Sequence, residues 1–143
     1  MKVALERAAA ALRKKAEEIQ RRVRAAEQDS AREALAIARA YSSGPFSARQ
    51  LAVLGHPYAS RAPHPPGKPS VINRQTGAFR AGWRIVRAGD VTRVVNDSRL
   101  APLFARGTRT MIRRPIARAV AQAIRQKREK RLRAAVKAGL EAR

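Results

Sequence analysis

The chain has 143 residues, with 32 Lys and Arg against ten Asp and Glu, and its formal net charge is +22. It contains no cysteine, which excludes a disulfide-stapled secreted domain, a thiolate zinc site and a thiol nucleophile. Only 4% of the residues are aromatic, so the core of a domain this size must be small or completed by a partner.

Residues 2–41 are predicted to form one long helix, because they contain no Gly or Pro and are rich in good helix formers. The helix would be about 60 Å long, more than one small domain covers. We expect it to pack against a neighbouring subunit or along the body of the domain. A free-standing dimeric coiled coil is disfavoured, because the position that follows its apolar seam is Ser30. That seam alternates spacings of four and three: Leu5, Ala9, Leu12, Ala16, Ile19, Val23 and Ala26.

Residues 42–75 are predicted to be a connector followed by a proline-rich loop. Gly44 and Pro45 end the long helix, and Ser47 can cap a short one. Five of the eight prolines lie within residues 56–69, a composition that excludes a helix or a central strand. We expect an extended loop that lies on a neighbouring subunit. Its predicted contact residues are His56, Pro57, Tyr58, Pro63, Pro65, Pro66 and Pro69.

A small antiparallel β-sheet is predicted within residues 76–110. From Phe79 the apolar residues alternate with a period of two, which predicts a strand with one buried face. A turn and a second alternating run at residues 91–96 complete a β-hairpin. A third short apolar segment follows at residues 100–104. Since Phe79 and Trp83 lie at strand spacing, we expect them in the core rather than stacked on nucleic-acid bases.

Residues 111–143 are predicted to form a basic C-terminal helix that begins at Pro115. Ile116, Val120 and Ile124 lie on one face of it. Beyond them the cations point in every direction, which a helix packed on a core cannot do. We therefore expect the helix to dock over residues 115–124 and to project beyond. The cations predicted to contact an acidic partner or DNA are Arg125, Lys127, Arg128, Lys130, Arg131 and Arg133.

These elements predict an α+β protein, a single domain over residues 1–143 in which a small antiparallel sheet packs with the two helices. The net charge is +4 over residues 1–40, +9 over 41–110 and +9 over 111–143. Such an excess self-repels unless a polyanion or an acidic surface lies opposite, although an arginine-rich composition also produces a merely solvated face. We expect no signal peptide and no membrane span, and hence a soluble protein, intracellular or assembly-bound.

Catalytic and metal chemistry find little support in the sequence. His56 and His64 are the only histidines, and both lie in the proline-rich loop without a nearby carboxylate. Gly77, Gly82 and Gly89 do not match the spacing of a phosphate-binding loop. No helix-turn-helix, zinc-finger or RNA-recognition signature is present. We therefore predict that the chain is not an enzyme and has no cofactor or metal.

Three short segments carry motifs of a known family. Residues 76–83 (TGAFRAGW) are similar to T-G-x-L-R-x-S-W, and residues 100–108 (LAPLFARGT) to Y-A-P-Y-x-E-x-G-T, with Leu100 and Ala105 at the tyrosine and glutamate positions. Residues 111–116 (MIRRPI) are similar to M-x-A-R-P-F. These motifs belong to tail-completion and head–tail joining proteins of long-tailed bacteriophages, which the chain resembles. The matched residues are Thr76, Gly77, Phe79, Arg80, Trp83, Ala101, Pro102, Gly107, Thr108, Met111, Arg114 and Pro115.

The resemblance implies a structural virion protein. Such proteins form a homo-oligomeric ring, six copies in the family, at the head-proximal end of the tail or in the neck, complete the tail and join it to the capsid connector. It further implies neighbouring neck and tail proteins as partners, transient contact with genomic DNA, no membrane, and assembly in the host cytoplasm. The residues themselves leave an alternative open: a basic nucleic-acid-binding protein that coats or condenses DNA, whose affinity would fall steeply with salt.

Overall fold

The structure is a computed structural model, and it describes residues 2–44, 77–108 and 113–142. The predicted short helix after Ser47, the proline-rich loop with both histidines, Thr76 and Met111 lie outside the described residues. The predicted α+β architecture is confirmed, with a long N-terminal helix, a C-terminal helix and a two-stranded antiparallel sheet. The elements are α1 Lys2–Tyr41, α2 Ala78–Ala81, β1 Trp83–Ala88, β2 Val91–Asn96, α3 Ala101–Arg106 and α4 Ile116–Glu141.

The chain divides into two compact units. We call residues 1–30 with 125–143 the helical unit, and residues 31–124 the mixed unit. Helices α1 and α4 each contribute residues to both units, whereas the sheet and the short helices belong to the mixed unit alone.

In the helical unit the two long helices run antiparallel. The Arg128 guanidinium on α4 lies 2.5 Å from the Glu27 carboxylate on α1. Farther along α4, Gly139 approaches Ile19 so closely that a Cβ at position 139 would lie 2.6 Å from Ile19 Cγ1. The expectation that α4 projects beyond residue 124 is therefore wrong, because a glycine and an ion pair allow its basic half to lie along α1.

The core of the mixed unit joins α1, the hairpin, α3 and α4. Alanines supply the α1 side, and Ala38 is fully buried, which lets the larger side chains approach the helix closely. The predicted docking face of α4 is confirmed, because Ile116, Val120 and Ile124 are all in this core. The buried cluster consists of Ala34, Ala38, Trp83, Phe104, Ile116, Val120 and Ile124.

The hairpin matches the prediction except at its start. Trp83 pairs with Asn96 and Ala88 with Val91, and Gly89 takes the positive φ of 58° that the two-residue turn requires. The start of the strand predicted from Phe79 is wrong, because residues 78–81 form the short helix α2 and β1 begins at Trp83. Phe79 and Trp83 are four residues apart, a spacing that fits both a strand face and one helical turn.

Glycine initiates α2. Gly77 has a φ of 84°, a left-handed conformation that turns the chain into the helix. The amides of Ala81 and Gly82 then donate hydrogen bonds of 2.9 and 3.0 Å to the carbonyls of Gly77 and Ala78. The apolar segment predicted at residues 100–104 falls within helix α3, which ends at Gly107 with a φ of 76°.

Candidate functional site

The described residues hold neither a metal-binding cluster nor a membrane-spanning helix. They contain no group of three or more His, Asp or Glu side chains arranged to hold an ion. Within the same part of the chain, no helix is long and apolar enough to cross a bilayer. The described residues do form several surfaces that could contact a partner, and one structural cluster.

The first two resemblance motifs meet in the mixed unit through their aromatic residues. The ring centroids of Phe79 and Phe104 are 4.8 Å apart, with the ring planes at 73°. Phe79 also contacts the buried Trp83 edge-on, at 6.0 Å between centroids. The expectation that Phe79 and Trp83 belong to the core rather than to a base-stacking platform is confirmed.

The third motif joins the same cluster through Arg114. Its side chain is only 1% exposed, and burial lowers the pKa of its guanidinium. Its backbone amide donates a 2.7 Å hydrogen bond to the Phe104 carbonyl. Pro115 comes directly before α4, and its carbonyl accepts a hydrogen bond from Ala119. Each of the three motifs thus contributes at least one residue to one core or to its edge.

Two polar residues that the sequence analysis did not single out connect this core. The Trp83 indole Nε1 donates a 2.8 Å hydrogen bond to Ser42 Oγ, just beyond the end of α1. Asn96, at the end of β2, donates from Nδ2 to the Phe79 carbonyl and accepts from the Ser98 amide, both at 2.8 Å. Neither has a local sequence signal, because each partner is brought near by the fold.

The outer face of the hairpin combines apolar and basic side chains. The strand register places Val86 opposite Arg93 and Arg84 opposite Val95 on this face. The Arg84 guanidinium bonds the Asp97 carboxylate, and this hydrogen bond lowers the pKa of Asp97 and raises that of Arg84. Because both side chains are more than half exposed, the pair adds little stability but fixes the direction of Arg84.

The predicted contact cations of α4 all lie in the helical unit, but they do not form one free set. Arg128 bonds Glu27, which raises the pKa of its guanidinium. Arg133 bonds Glu129 one turn earlier on α4, at 2.5 Å. Arg131 is half-buried. Arg125, Lys127 and Lys130 are exposed.

A charged groove in the helical unit is lined by residues 11–22 of α1 and by the C-terminal end of α4. It has a volume of about 790 Å³, and Ala11, Gly139 and Ala142 supply its small apolar residues. On its wall the Glu18 carboxylate accepts hydrogen bonds from Arg21 and Arg22 at 2.6 to 2.8 Å, which lower its pKa. The lining has four cations, Lys14, Lys15, Arg21 and Arg22, against the two acids Glu17 and Glu18, so the groove keeps a net positive charge.

The first turns of α1 expose large apolar side chains. Leu5 and Leu12, both members of the predicted seam, are each 71% exposed. On α4, Val136 and Leu140 are 39% and 55% exposed. Unpartnered leucines along one helix face are typical of an interaction surface rather than of a solvated one.

Comparison with known protein families found no match, and neither curated proteins nor solved structures matched the chain.

Proposed function

We propose that the chain is a structural subunit of a long-tailed bacteriophage, forming a ring at the head-proximal end of the tail or in the neck. In that position it would complete the tail and join it to the capsid connector. Its partners would be further copies of itself and the adjoining neck and tail proteins, with transient contact to the genome that passes through the ring. The assembled virion would be its location.

The observation that carries the proposal is the convergence of the three resemblance motifs. Motif residues that are 25 positions apart contact each other through the Phe79 and Phe104 rings, and residues ten positions apart through the hydrogen bond from the Arg114 amide to the Phe104 carbonyl. Short matches that arise by chance have no reason to meet in one core. Motifs that specify a common fold are expected to meet in its core, because they supply its glycine turns, its aromatic contacts and the entry to its last helix.

The surfaces of the chain also support an assembling subunit. The mixed unit leaves large apolar side chains partly open, since Val91 is 50%, Leu100 44% and Leu103 41% exposed. The helical unit leaves Leu5 and Leu12 open to solvent. A subunit with such surfaces gains stability from its neighbours, and closed cyclic symmetry satisfies every copy equally. We propose that the proline-rich loop over residues 56–69, which lies outside the described residues, covers part of a neighbour.

The experiment is sedimentation velocity on nuclease-treated protein at about 0.1 and about 0.5 M salt. Ring assembly through packed surfaces predicts a large species of the same size at both concentrations. As a matched variant, residues 56–69 are replaced by a Gly/Ser linker, which we expect to leave Trp83 fluorescence unchanged and to reduce assembly. A monomer at high protein concentration, or full assembly of the linker variant, would contradict the respective part of the proposal.

A second candidate, a basic protein that coats or condenses nucleic acid, is favoured by one specific observation. In the described part of residues 31–124 every cationic side chain is an arginine, and eleven of them stand against three acidic residues. Arginine is suited to phosphate because its guanidinium offers paired donors. This candidate predicts DNA affinity that falls about a thousandfold or more between 50 and 200 mM salt. Weak binding with a shallow salt slope would exclude it.

A further inference from the structure

One face of α1 is covered along only part of its length. Ile19, Val23 and Ala26 of the apolar seam are half-buried, in the stretch that packs with α4. Every described side chain from position 3 to position 14 is exposed. At 100° per residue Leu12 lies within about 20° of Leu5, and Val23 at nearly the same angle as Leu5. The open leucines therefore continue the face that α4 covers farther along.

We propose that this open part of the seam, residues 5–16, binds the same segment of a second copy in antiparallel orientation. The inference does not depend on the proposed function, because it concerns only how two copies cover one helix face. The proposed contact has two-fold symmetry, so each subunit contributes the same surface. If a ring also forms, this contact would join two rings face to face.

The sequence of the seam favours the antiparallel arrangement. With heptad spacing, an antiparallel pair places Leu5 opposite Ala16 of the second copy and Ala9 opposite its Leu12. Each leucine then packs on an alanine, and the layers have equal width. A parallel pair would place leucine on leucine and alanine on alanine in alternate layers. The leucine layers would then require a wide separation of the helix axes and the alanine layers a narrow one, which two straight helices cannot provide together.

The charged residues beside the seam also favour the antiparallel orientation of the two helices. Glu6 and Arg13 follow Leu5 and Leu12 directly, and in an antiparallel pair these positions flank the seam on the same side. Glu6 of each copy then lies near Arg13 of the other, which gives two ion pairs across the contact. In a parallel pair the flanking positions would place Ala8 near Arg13 and Lys15 near Gln20, neither of which is an opposite-charge pair.

The structure already shows that this flanking position reaches a helix packed on the seam. Glu27 occupies the same heptad position as Glu6, directly after the seam residue Ala26. Its carboxylate accepts hydrogen bonds from Arg128 of α4 at 2.5 and 3.2 Å. The proposed contact between Glu6 and Arg13 of a second copy repeats this geometry on the open part of the same face.

Cross-linking of single-cysteine variants tests the orientation directly, because the chain has no cysteine of its own. Leu5→Cys and Ala16→Cys proteins are oxidised separately and as a mixture. We expect a disulfide dimer mainly in the mixture. A dimer of Leu5→Cys alone would indicate a parallel pair, and the absence of any cross-linked dimer would show that the segments do not meet; either result overturns the proposal.

Charge reversal tests the specificity of the contact in the full-length protein. Glu6→Arg alone and Arg13→Glu alone should each weaken self-association about tenfold or more, and the double variant should restore it to within about threefold. Val3→Gln is the matched control, since Val3 is exposed but lies about 160° from Leu5. Circular dichroism monitors the helix. Losses that add in the double variant, instead of cancelling, would contradict the proposal.

Discussion

The indole of Trp83 and the hydroxyl of Ser42 form a buried hydrogen bond of 2.8 Å between residues that are 41 positions apart. Ser42 Oγ donates in turn to the Ala38 carbonyl at 2.8 Å. The end of α1 is thereby tied to the first residue of β1. This link holds the hairpin against the core in which the three resemblance motifs meet, so the geometry of the proposed ring subunit depends on it.

Replacing Ser42 with alanine should destabilise the mixed unit by about 1–3 kcal/mol, because the buried indole N–H then lacks an acceptor. Chemical denaturation followed by fluorescence measures this directly, since Trp83 is the only tryptophan. Ser42→Thr, which keeps the hydroxyl, is the matched control. Equal stability of the wild-type and Ser42→Ala proteins would show that the hydrogen bond is not formed.

The Arg84–Asp97 pair predicts a specific acid dependence. The hydrogen bond from Arg84 lowers the pKa of Asp97 in the folded protein. Its contribution to stability is therefore complete above the ordinary aspartate pKa of about 4 and is lost as the pH falls through the lower folded value. Denaturation midpoints between pH 7 and pH 2 should fall less steeply for Asp97→Asn than for the wild type. Parallel curves would contradict the assignment.

Close packing at Gly82 predicts a destabilising substitution with a rescue. A Cβ at this position would lie 2.8 Å from Asn96 Oδ1, and Asn96 is held by its bonds to Phe79 and Ser98. Gly82→Ala should cost about 1–3 kcal/mol. The cost should be smaller in a background that already carries Asn96→Ala, which removes the clashing oxygen. Equal costs in both backgrounds, measured by denaturation, would show that Asn96 Oδ1 is not the source of the clash.

Local patterns predicted the elements of this fold well, whereas distant contacts escaped them. The absence of Gly and Pro gave the bounds of α1, and the spacing of Ile116, Val120 and Ile124 gave the docking face of α4. The course of the basic half of α4 depends on Glu27 and Gly139, which meet their partners more than a hundred residues away in sequence. Neither of these contacts can be predicted from the composition of α4, in which exposed cations predominate.

The candidate surfaces show the same division. The sequence identified the six cations of α4 as a set, but only the fold shows that Arg128 bonds Glu27 and Arg133 bonds Glu129. It also predicted the seam of α1 without showing where α4 stops covering it. The burial of Arg114 had no signal at all, because an arginine in a basic chain is expected at the surface.

The exposed cations of α4 provide the test of a partner contact. Changing Arg125 and Lys130 to glutamine should leave the unfolding free energy within about 0.5 kcal/mol of the wild type, because these side chains are exposed. We expect particles that carry the variant to lose infectivity. Arg99 and Arg106, also exposed, form a control pair with the same charge change. Fully infectious particles would show that the α4 set is only solvated.

Negative-stain imaging of the purified chain, freed of nucleic acid and concentrated, tests whether it is a ring-forming structural subunit. We expect closed rings of uniform diameter with a central channel, because the neighbours that complete each subunit are further copies of itself. Leu5→Gln with Leu12→Gln should convert any face-to-face pairs of rings to single rings. Isolated monomers under these conditions, or particles that appear only when DNA is added, would contradict the account.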